Sequence, residues 1–326
     1  MSKLPLPPLM SSILETIGNT PLVELKQLVK VLNLSGKLLA KLEFFNPGYS
    51  KKDRVALEII KEARKEGSLV PGQPVVELTS GNTGTGLAIV CRALGHPFKA
   101  VMSRGNTIER AQMMEALGAE VVLVNQAPGS PPQQVSRADL DLVEQETKRL
   151  VIECGAFRAN QFELMSNVLA HERYTGPELW EQSQGSIEVF VDFIGSAGSF
   201  TGVTRYLRKQ RPDIRAYVVE PAGGAALAGK VVSRSHHKIQ GGGYGMPQLS
   251  LLEKNLVTDY LEVHDPEAVE ATQLLSFEEG IFGGFSTGAN LAAAIQLLRT
   301  KEVGATIGFL VCDSGLKYLS TNLFSK

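Results

Sequence analysis

The stretch VVELTSGNTGTGLAIVCRAL, Val75 to Leu94, decides the fold. Val75–Leu78 is a short apolar, β-branched run of the kind that forms a buried strand. Thr79 to Gly86 is made of small and hydroxylic residues, and Gly84–Leu94 then carries apolar residues at helical spacing. The same alternation extends outward. Phe98–Met102 and Glu120–Val124 read as strands with the helix Ile108–Leu117 between them. It resumes with the strands Val189–Ile194, Ala216–Val219 and Thr306–Val311 and the helices Gly202–Lys209 and Gly288–Leu298. Strand–helix alternation predicts an α/β chain with doubly wound, mostly parallel sheets. In such sheets ligands sit beyond the carboxyl ends of the strands. The break near residues 155–165 predicts two lobes with a cleft between them. Gln126–Gln134 and the glycine-rich Val232–Leu251 read as irregular.

Bulk properties narrow the function. The chain has 326 residues, 43% hydrophobic and 21% charged, enough to bury a core without staples. Its formal net charge is -1, and the basic run Lys61–Lys65 is interleaved with Glu62, so no basic face for nucleic acid is expected. Cys91, Cys154 and Cys312 are far apart, which argues against a disulfide framework and for a reducing compartment. The adjacent His236 and His237 cannot share a helix face, and no metal site is expected. The opening MSKLPLPPLM is too short and Pro-rich for a signal peptide, and no apolar run has spanning length. The expected location is cytoplasmic, with small molecules as ligands and neither nucleic acid nor membrane as partner.

Four segments carry the candidate chemistry. In NPGYSKKDR, Asn46 to Arg54, Ser50 and Asp53 are spaced like a capping box, and Val55, Ala56, Ile59, Ile60 and Ala63 form one apolar helix face. Lys51 and Lys52 thus fall in a first helical turn, where the helix field disfavours cations. They either point to solvent or include an amine whose lowered pKa serves a Schiff base. TSGNTGTG, Thr79 to Gly86, offers free amides and hydroxyls to a carboxylate or phosphate, in an order that is not the dinucleotide fingerprint. GSAGSFTG, Gly195 to Gly202, adds Ser196, Ser199 and Thr201 to a second anion cradle, without the Lys-Ser/Thr pair of a Walker loop. GGFSTGAN, Gly283 to Asn290, opens an alanine-rich helix.

Taken together these segments closely resemble the cysteine synthase (O-acetylserine sulfhydrylase) and cystathionine β-synthase family, pyridoxal-phosphate enzymes of the tryptophan-synthase-β fold (fold type II). The likeness runs from ILETIGNTPLVEL, starting at Ile13, to DSGLKYLST, ending at Thr321, and includes Gln161–Phe162, AHERYTGPELW at Ala170–Trp180 and VEPAG at Val219–Gly223. It implies a Schiff-base lysine at Lys52. It also implies cofactor contacts from Asn82 to the phenolic oxygen, from Gly195, Ser196, Ala197, Gly198 and Ser199 to the phosphate, and from Ser286 to the pyridine nitrogen. Thr79, Ser80, Thr83 and Gln161 would bind the substrate carboxylate, and Gly243 and Tyr244 would line the mouth. The implied reaction is ping-pong β-replacement on a serine-derived amino acid through an aminoacrylate, with acetate leaving and sulfide entering as the leading pair. Serine, O-phosphoserine or cysteine as donor, and homocysteine, sulfite or an amine as acceptor, stay open. A homodimer is implied, as is a smaller, mobile lobe over residues 48–157 against a larger cofactor-binding lobe of 1–47 plus 158–326.

The chain departs from the family pattern at three places. Lys51 stands where a small apolar residue is usual, and it is expected to face solvent or to steer an anionic co-substrate. Ser196–Ala197 replaces the commoner Thr-Gly. QGGGYGMPQL, Gln240 to Leu249, has extra glycines, and its Tyr244 resembles the cystathionine-forming branch. Two rival readings lack support. A nicotinamide dehydrogenase needs a dinucleotide fingerprint that is missing, and a catalytically silent relative would be expected to lose the lysine or the cradle.

Overall fold

Every run read as a strand lies in one of two sheets. The structure, a computed structural model, describes residues 8–131, 134–234 and 236–324. Pro132 and Gln133 of the loop Gln126–Gln134, and Ser235 of the irregular stretch, lie outside the described residues. In chain order the strands are β1 (Leu22–Glu24), β2 (Lys37–Leu42), β3 (Val75–Leu78), β4 (Phe98–Ser103), β5 (Glu120–Val124), β6 (Phe157–Arg158), β7 (Val189–Phe193), β8 (Arg215–Pro221), β9 (Asp259–Val263) and β10 (Thr306–Val311). The first six helices are α1 (Lys26–Val31), α2 (Lys52–Glu66), α3 (Asn82–Leu94), α4 (Ile108–Ala116), α5 (Arg137–Cys154) and α6 (Ser166–Ala170). The rest are α7 (Gly176–Gln182), α8 (Gly198–Gln210), α9 (Asp265–Glu279) and α10 (Phe285–Arg299).

The smaller sheet has the order β5-β4-β3-β6 and is parallel throughout. The larger has the order β1-β2-β10-β7-β8-β9, with β1 alone antiparallel. Alternate side chains of one strand enter different cores. Val189, Val191 and Phe193 of β7 join one cluster and Phe190 the other. In β4, Phe98, Ala100 and Met102 pack on one side and Val101 on the other. Each sheet is therefore covered on both faces, as the alternation requires.

Three helices begin earlier than their apolar periodicity suggests. α3, α8 and α10 start at Asn82, Gly198 and Phe285, inside the small-residue segments. Small residues bury little apolar area, so periodicity becomes visible only one turn later. At the turn into α3, Gly81 has φ +122°, and a Cβ there would lie 2.5 Å from Arg110 Cδ; only glycine fits.

The expected capping box at α2 does not form. Ser50 Oγ accepts the Lys52 amide at 3.2 Å, while the Asp53 carboxylate accepts from the Gly48 amide instead of returning to Ser50. The helix is held by its flanks: the Lys51 amide donates to Cys312 O at 2.9 Å, and Ser50 bridges to Asp313. Its buried face, Val55, Ala56, Ile59, Ile60 and Ala63, is the one the spacing predicts. The start of α2 is thus stitched to the carboxyl end of β10, across from the ends of β3 and β7.

Candidate active site

Three glycine-rich turns and the first turn of α2 gather at these strand ends. The turn after β7 is the anion cradle. Thr201 N is bonded to Ala197 O at 3.0 Å, closing the first turn of α8, so the amides before it have no intrahelical acceptor. Ala197 adopts φ +68°. A Cβ on Gly198 would fall 2.1 Å from Asn167 Oδ1, and one on Gly195 would fall 2.6 Å from Gly241 O. The cradle therefore has to be small, and it presents amides at a helix N-terminus, the donor set that suits a phosphate. Its hydroxyls serve the protein. Ser196 Oγ accepts from Asn167 Nδ2 at 2.8 Å, Thr201 Oγ1 donates to Leu251 O at 2.6 Å, and Ser199 Oγ donates to Asp192. Binding there falls chiefly to the backbone amides, with Ser196, which only accepts from Asn167, keeping its own O–H to donate.

The two lysines differ sharply. Lys51 is buried, contrary to the expectation that it faces solvent, because it has a partner in the core. Its Nζ lies 3.0 and 3.3 Å from the Asp192 carboxylate oxygens and 2.8 Å from Ser199 Oγ. Burial opposes its charge, but Asp192 and the Cys312 sulfur outweigh that and raise its pKa. Among the described residues no group hydrogen-bonds to Lys52 Nζ. Burial first, and the Lys51 charge second, bring the Lys52 amine down to about 8. Of the two, Lys52 is the amine able to attack a carbonyl near neutral pH.

The turn after β3 arranges its polar groups differently. Thr79 Oγ1 accepts the Gly81 and Gly84 amides, both at 2.9 Å, so it shapes the turn. Thr83 Oγ1 donates to Gln161 Oε1 at 2.6 Å, joining two of the residues expected at the substrate carboxylate. Asn82 donates to Asp313 Oδ2 at 2.7 Å and accepts from Lys317 Nζ at 2.8 Å, which leaves one amide N–H free for a ligand. Tyr244, on the glycine-rich loop, hydrogen-bonds to Ser80, and Gly243 N donates to Ile194 O at 2.9 Å. Ser286 stands in the first turn of α10, buried, with its hydroxyl within reach of the Cys312 thiol; burial pushes that thiol up to about 11. The expected residues thus converge from both sheets.

Sequence reading missed Asp192, Asn167, Asp313 and Lys317, all buried at this locus. Asp192 carries a signal in hindsight: it is a charged residue inside an otherwise apolar buried strand, which needs a partner.

The Lys52 amine, unpaired among the described residues, the backbone cradle whose Gly195 and Gly198 leave no room for a Cβ and the neutral Ser286 hydroxyl fit a phosphorylated aldehyde with a ring nitrogen. Comparison with known proteins points the same way. Residues 13–313 match the model of the family described as "Pyridoxal-phosphate dependent enzyme". The chain is 39% identical to cysteine synthase 3 of Caenorhabditis elegans, over 95% of this chain and 89% of that one. It is 37% identical to cysteine synthase A of Escherichia coli K12, over 97% of each. Among solved structures, a cysteine synthase of Entamoeba histolytica superposes with TM-score 0.90 at 32% identity, covering 100% of this chain and 94% of that one. An O-ureido-L-serine synthase superposes with TM-score 0.86 at 35% identity, covering 97% and 96%. The chain belongs to the pyridoxal-phosphate dependent enzymes, in the family that includes the cysteine synthases.

Proposed function

We propose that the chain is a cysteine synthase that exchanges the acetate of O-acetylserine for sulfide, with Lys52 as the residue that carries the cofactor. The observation behind this reading is the Lys52 amine, which has no hydrogen-bond partner among the described residues, next in sequence to a lysine that is ion-paired to Asp192 and bonded to Ser199 of the backbone cradle. Pyridoxal 5'-phosphate supplies an electron-withdrawing ring that acidifies the α-carbon of a bound amino acid. The cradle from Gly195 to Ser199 holds its phosphate by amides, Asn82 offers its remaining N–H to the phenolic oxygen, and Ser286 meets the ring nitrogen with a neutral hydroxyl. Because that hydroxyl places no fixed charge at the nitrogen, loss of a β-substituent is favoured over transamination or racemisation. Thr79, Ser80, Thr83 and Gln161 orient the substrate carboxylate. Lys52 Nζ accepts the α-proton as acetate departs with its bonding pair. Sulfide then forms the new C–S bond at the β-carbon, and Lys52 returns the proton.

Gly243 and Tyr244 line the entrance and bear on which nucleophile enters. The solved O-ureido-L-serine synthase is a relative with a different named product, so acceptor choice has to be measured. The part spanning residues 48–157 is the smaller, mobile lobe in this reading, closing on the remainder when substrate binds. The molecule works as a cytoplasmic homodimer. Among the described residues no helix is long and apolar enough to cross a membrane.

The test has two halves. Protein supplied with cofactor is reduced with borohydride and its peptides mapped; the label belongs on Lys52, and a label on Lys51 or elsewhere overturns the assignment. The protein is then assayed with serine, O-acetylserine, O-phosphoserine and cysteine as donors against sulfide, sulfite and homocysteine. Cysteine formed fastest from O-acetylserine and sulfide supports the reading; release of acetate without cysteine would sink it. Sedimentation velocity showing only monomer would contradict the dimer.

A further inference from the structure

Helix α2 opens with two amines in one low-dielectric pocket, and the pocket neutralises only one of them. An ammonium has three N–H donors. Those of Lys51 have acceptors in the Asp192 carboxylate at 3.0 Å, Ser199 Oγ at 2.8 Å and the Cys312 sulfur. Every acceptor is itself buried: Asp192 is 0% exposed, Cys312 4% and Ser199 5%. Ser199 donates a hydrogen bond to Asp192 and accepts one from Lys51, so hydroxyl, carboxylate and ammonium form a closed ring. Ser199 is also a member of the phosphate cradle, and Cys312, directly after β10, accepts the Lys51 amide at its carbonyl. A buried cation this well matched cannot leave, and its charge is felt strongly nearby.

We propose that Lys51 is a positioning residue for the reaction at Lys52: fixed by Asp192 and Ser199 behind the phosphate cradle, its ammonium stands as a permanent charge beside the reactive amine and couples that amine to the cradle. The proposal rests on the reading of Lys52 as the cofactor-bearing residue. A second cation next to a lysine disfavours protonation of its neighbour, a known way of activating an amine. The other groups that bear on Lys52 are Asp192, Cys312 and Asp313, which favour its charge; His171 also lies close to both lysines, and burial keeps its imidazole neutral. Burial and the Lys51 charge outweigh the acidic groups, in keeping with the amine being brought down to about 8. The same ring of contacts explains why Ser199 lends the cradle its amide rather than its hydroxyl.

The test reads Lys52 itself. Full-length protein stripped of cofactor is acetylated competitively between pH 6 and 11, and the Lys52 peptide is quantified by mass spectrometry. The wild-type midpoint should lie near 8. Lys51→Met should raise it by about one unit, a roughly tenfold loss of free amine near pH 7, and Lys51→Arg should bring it back toward the wild-type value. Lys51→Met leaves Asp192 buried without a cation and could impair folding. The paired variant Lys51→Met/Asp192→Asn, checked for folding by circular dichroism, therefore carries the expectation of a smaller rise, because Asp192, which favours the Lys52 charge, is removed along with Lys51. A folded single or paired variant with the wild-type midpoint overturns the proposal. The borohydride map on the wild type separates the two readings. A label away from Lys52 removes the ground for both, whereas a label on Lys52 with an unmoved midpoint removes only this one.

Discussion

Two buried charge clusters grow from the first turn of α2, and they are built to opposite rules. On one side Arg54 grips Glu43 through Nε at 2.7 Å and Nη2 at 2.8 Å, and Glu178 through Nη1 at 2.6 Å and Nη2 at 2.8 Å. Lys41 completes it with Glu178 at 2.7 Å, Thr20 O at 2.6 Å and Gln182 at 2.7 Å. Two cations meet two carboxylates. On the other side Lys51 and Lys52 face Asp192 and Cys312, and one amine goes without a hydrogen-bond partner among the described residues. The first cluster is closed and fixes the helix. The second is left one bond short, and the chemistry belongs where that bond is missing. Buried ions stripped of a partner are costly, so the balanced cluster holds in place the helix start that the unbalanced one burdens.

That contrast is most sharply broken by deleting the free amine. Lys52→Ala should lower turnover at least about a thousandfold while leaving the fold intact, since no hydrogen bond is lost; steady-state assay and circular dichroism check the two halves. Next in size is the opposite experiment. Arg54→Met takes the guanidinium from Glu43 and leaves Glu178 with Lys41 alone, and should cost about 3–5 kcal/mol in urea unfolding, with any loss of activity following from the displaced helix. The pH dependence follows with a definite sign. Burial would raise the Glu178 carboxyl, but Arg54 and Lys41 outweigh it and bring it down to about 2. A carboxyl lowered in the folded state stabilises above its ordinary value near 4.5 and loses that contribution as pH falls toward 2. Acid titration of stability should show this loss in the wild type and a much weaker one in Arg54→Met.

A smaller effect is expected in the cradle. Gly198→Ala would place a methyl 2.1 Å from Asn167 Oδ1 and force that side chain away from its bonds to Gln161 O and Ser196. Cofactor affinity should fall about tenfold, with about 1–3 kcal/mol lost in stability. Equilibrium dialysis against pyridoxal phosphate and urea unfolding would show it.

How much of this was legible in the sequence depends on range. β3 and β10 carry the bounds their apolar runs predict, because a strand buried on both faces is written in consecutive residues. The cradle and the Thr79–Thr83 turn were legible for a similar reason, since a glycine turn between strand and helix is a local pattern. The place of Lys51 was not. Its partner Asp192 lies 141 residues away, and position in a helix turn alone points to solvent. Asn82 likewise finds Asp313 and Lys317 231 and 235 residues on. Asp53 sits at capping distance from Ser50 but is drawn to the Gly48 amide, a choice that depends on how the preceding loop folds. Local chemistry marks where a site is; the pairing that sets each group's charge is tertiary.

The mildest prediction concerns the seam between the two glycine loops. Tyr244 reaches from the loop after β8 to Ser80 in the turn after β3, so it ties the entrance of one sheet's turn to the other's. Burial raises the Tyr244 hydroxyl above its ordinary value, and it therefore stays neutral throughout the working range. Tyr244→Phe keeps the ring that packs beside Met246 and removes only the hydroxyl. One neutral hydrogen bond contributes about 0.5–1.5 kcal/mol, so KM for the amino-acid donor should rise a few-fold with kcat nearly unchanged. If the acceptor is also chosen at this seam, the ratio of kcat/KM for sulfide over homocysteine should shift by a similar factor. An unchanged ratio, measured with saturating donor, would confine Tyr244 to ordering the donor loop and leave acceptor choice to the surrounding glycines.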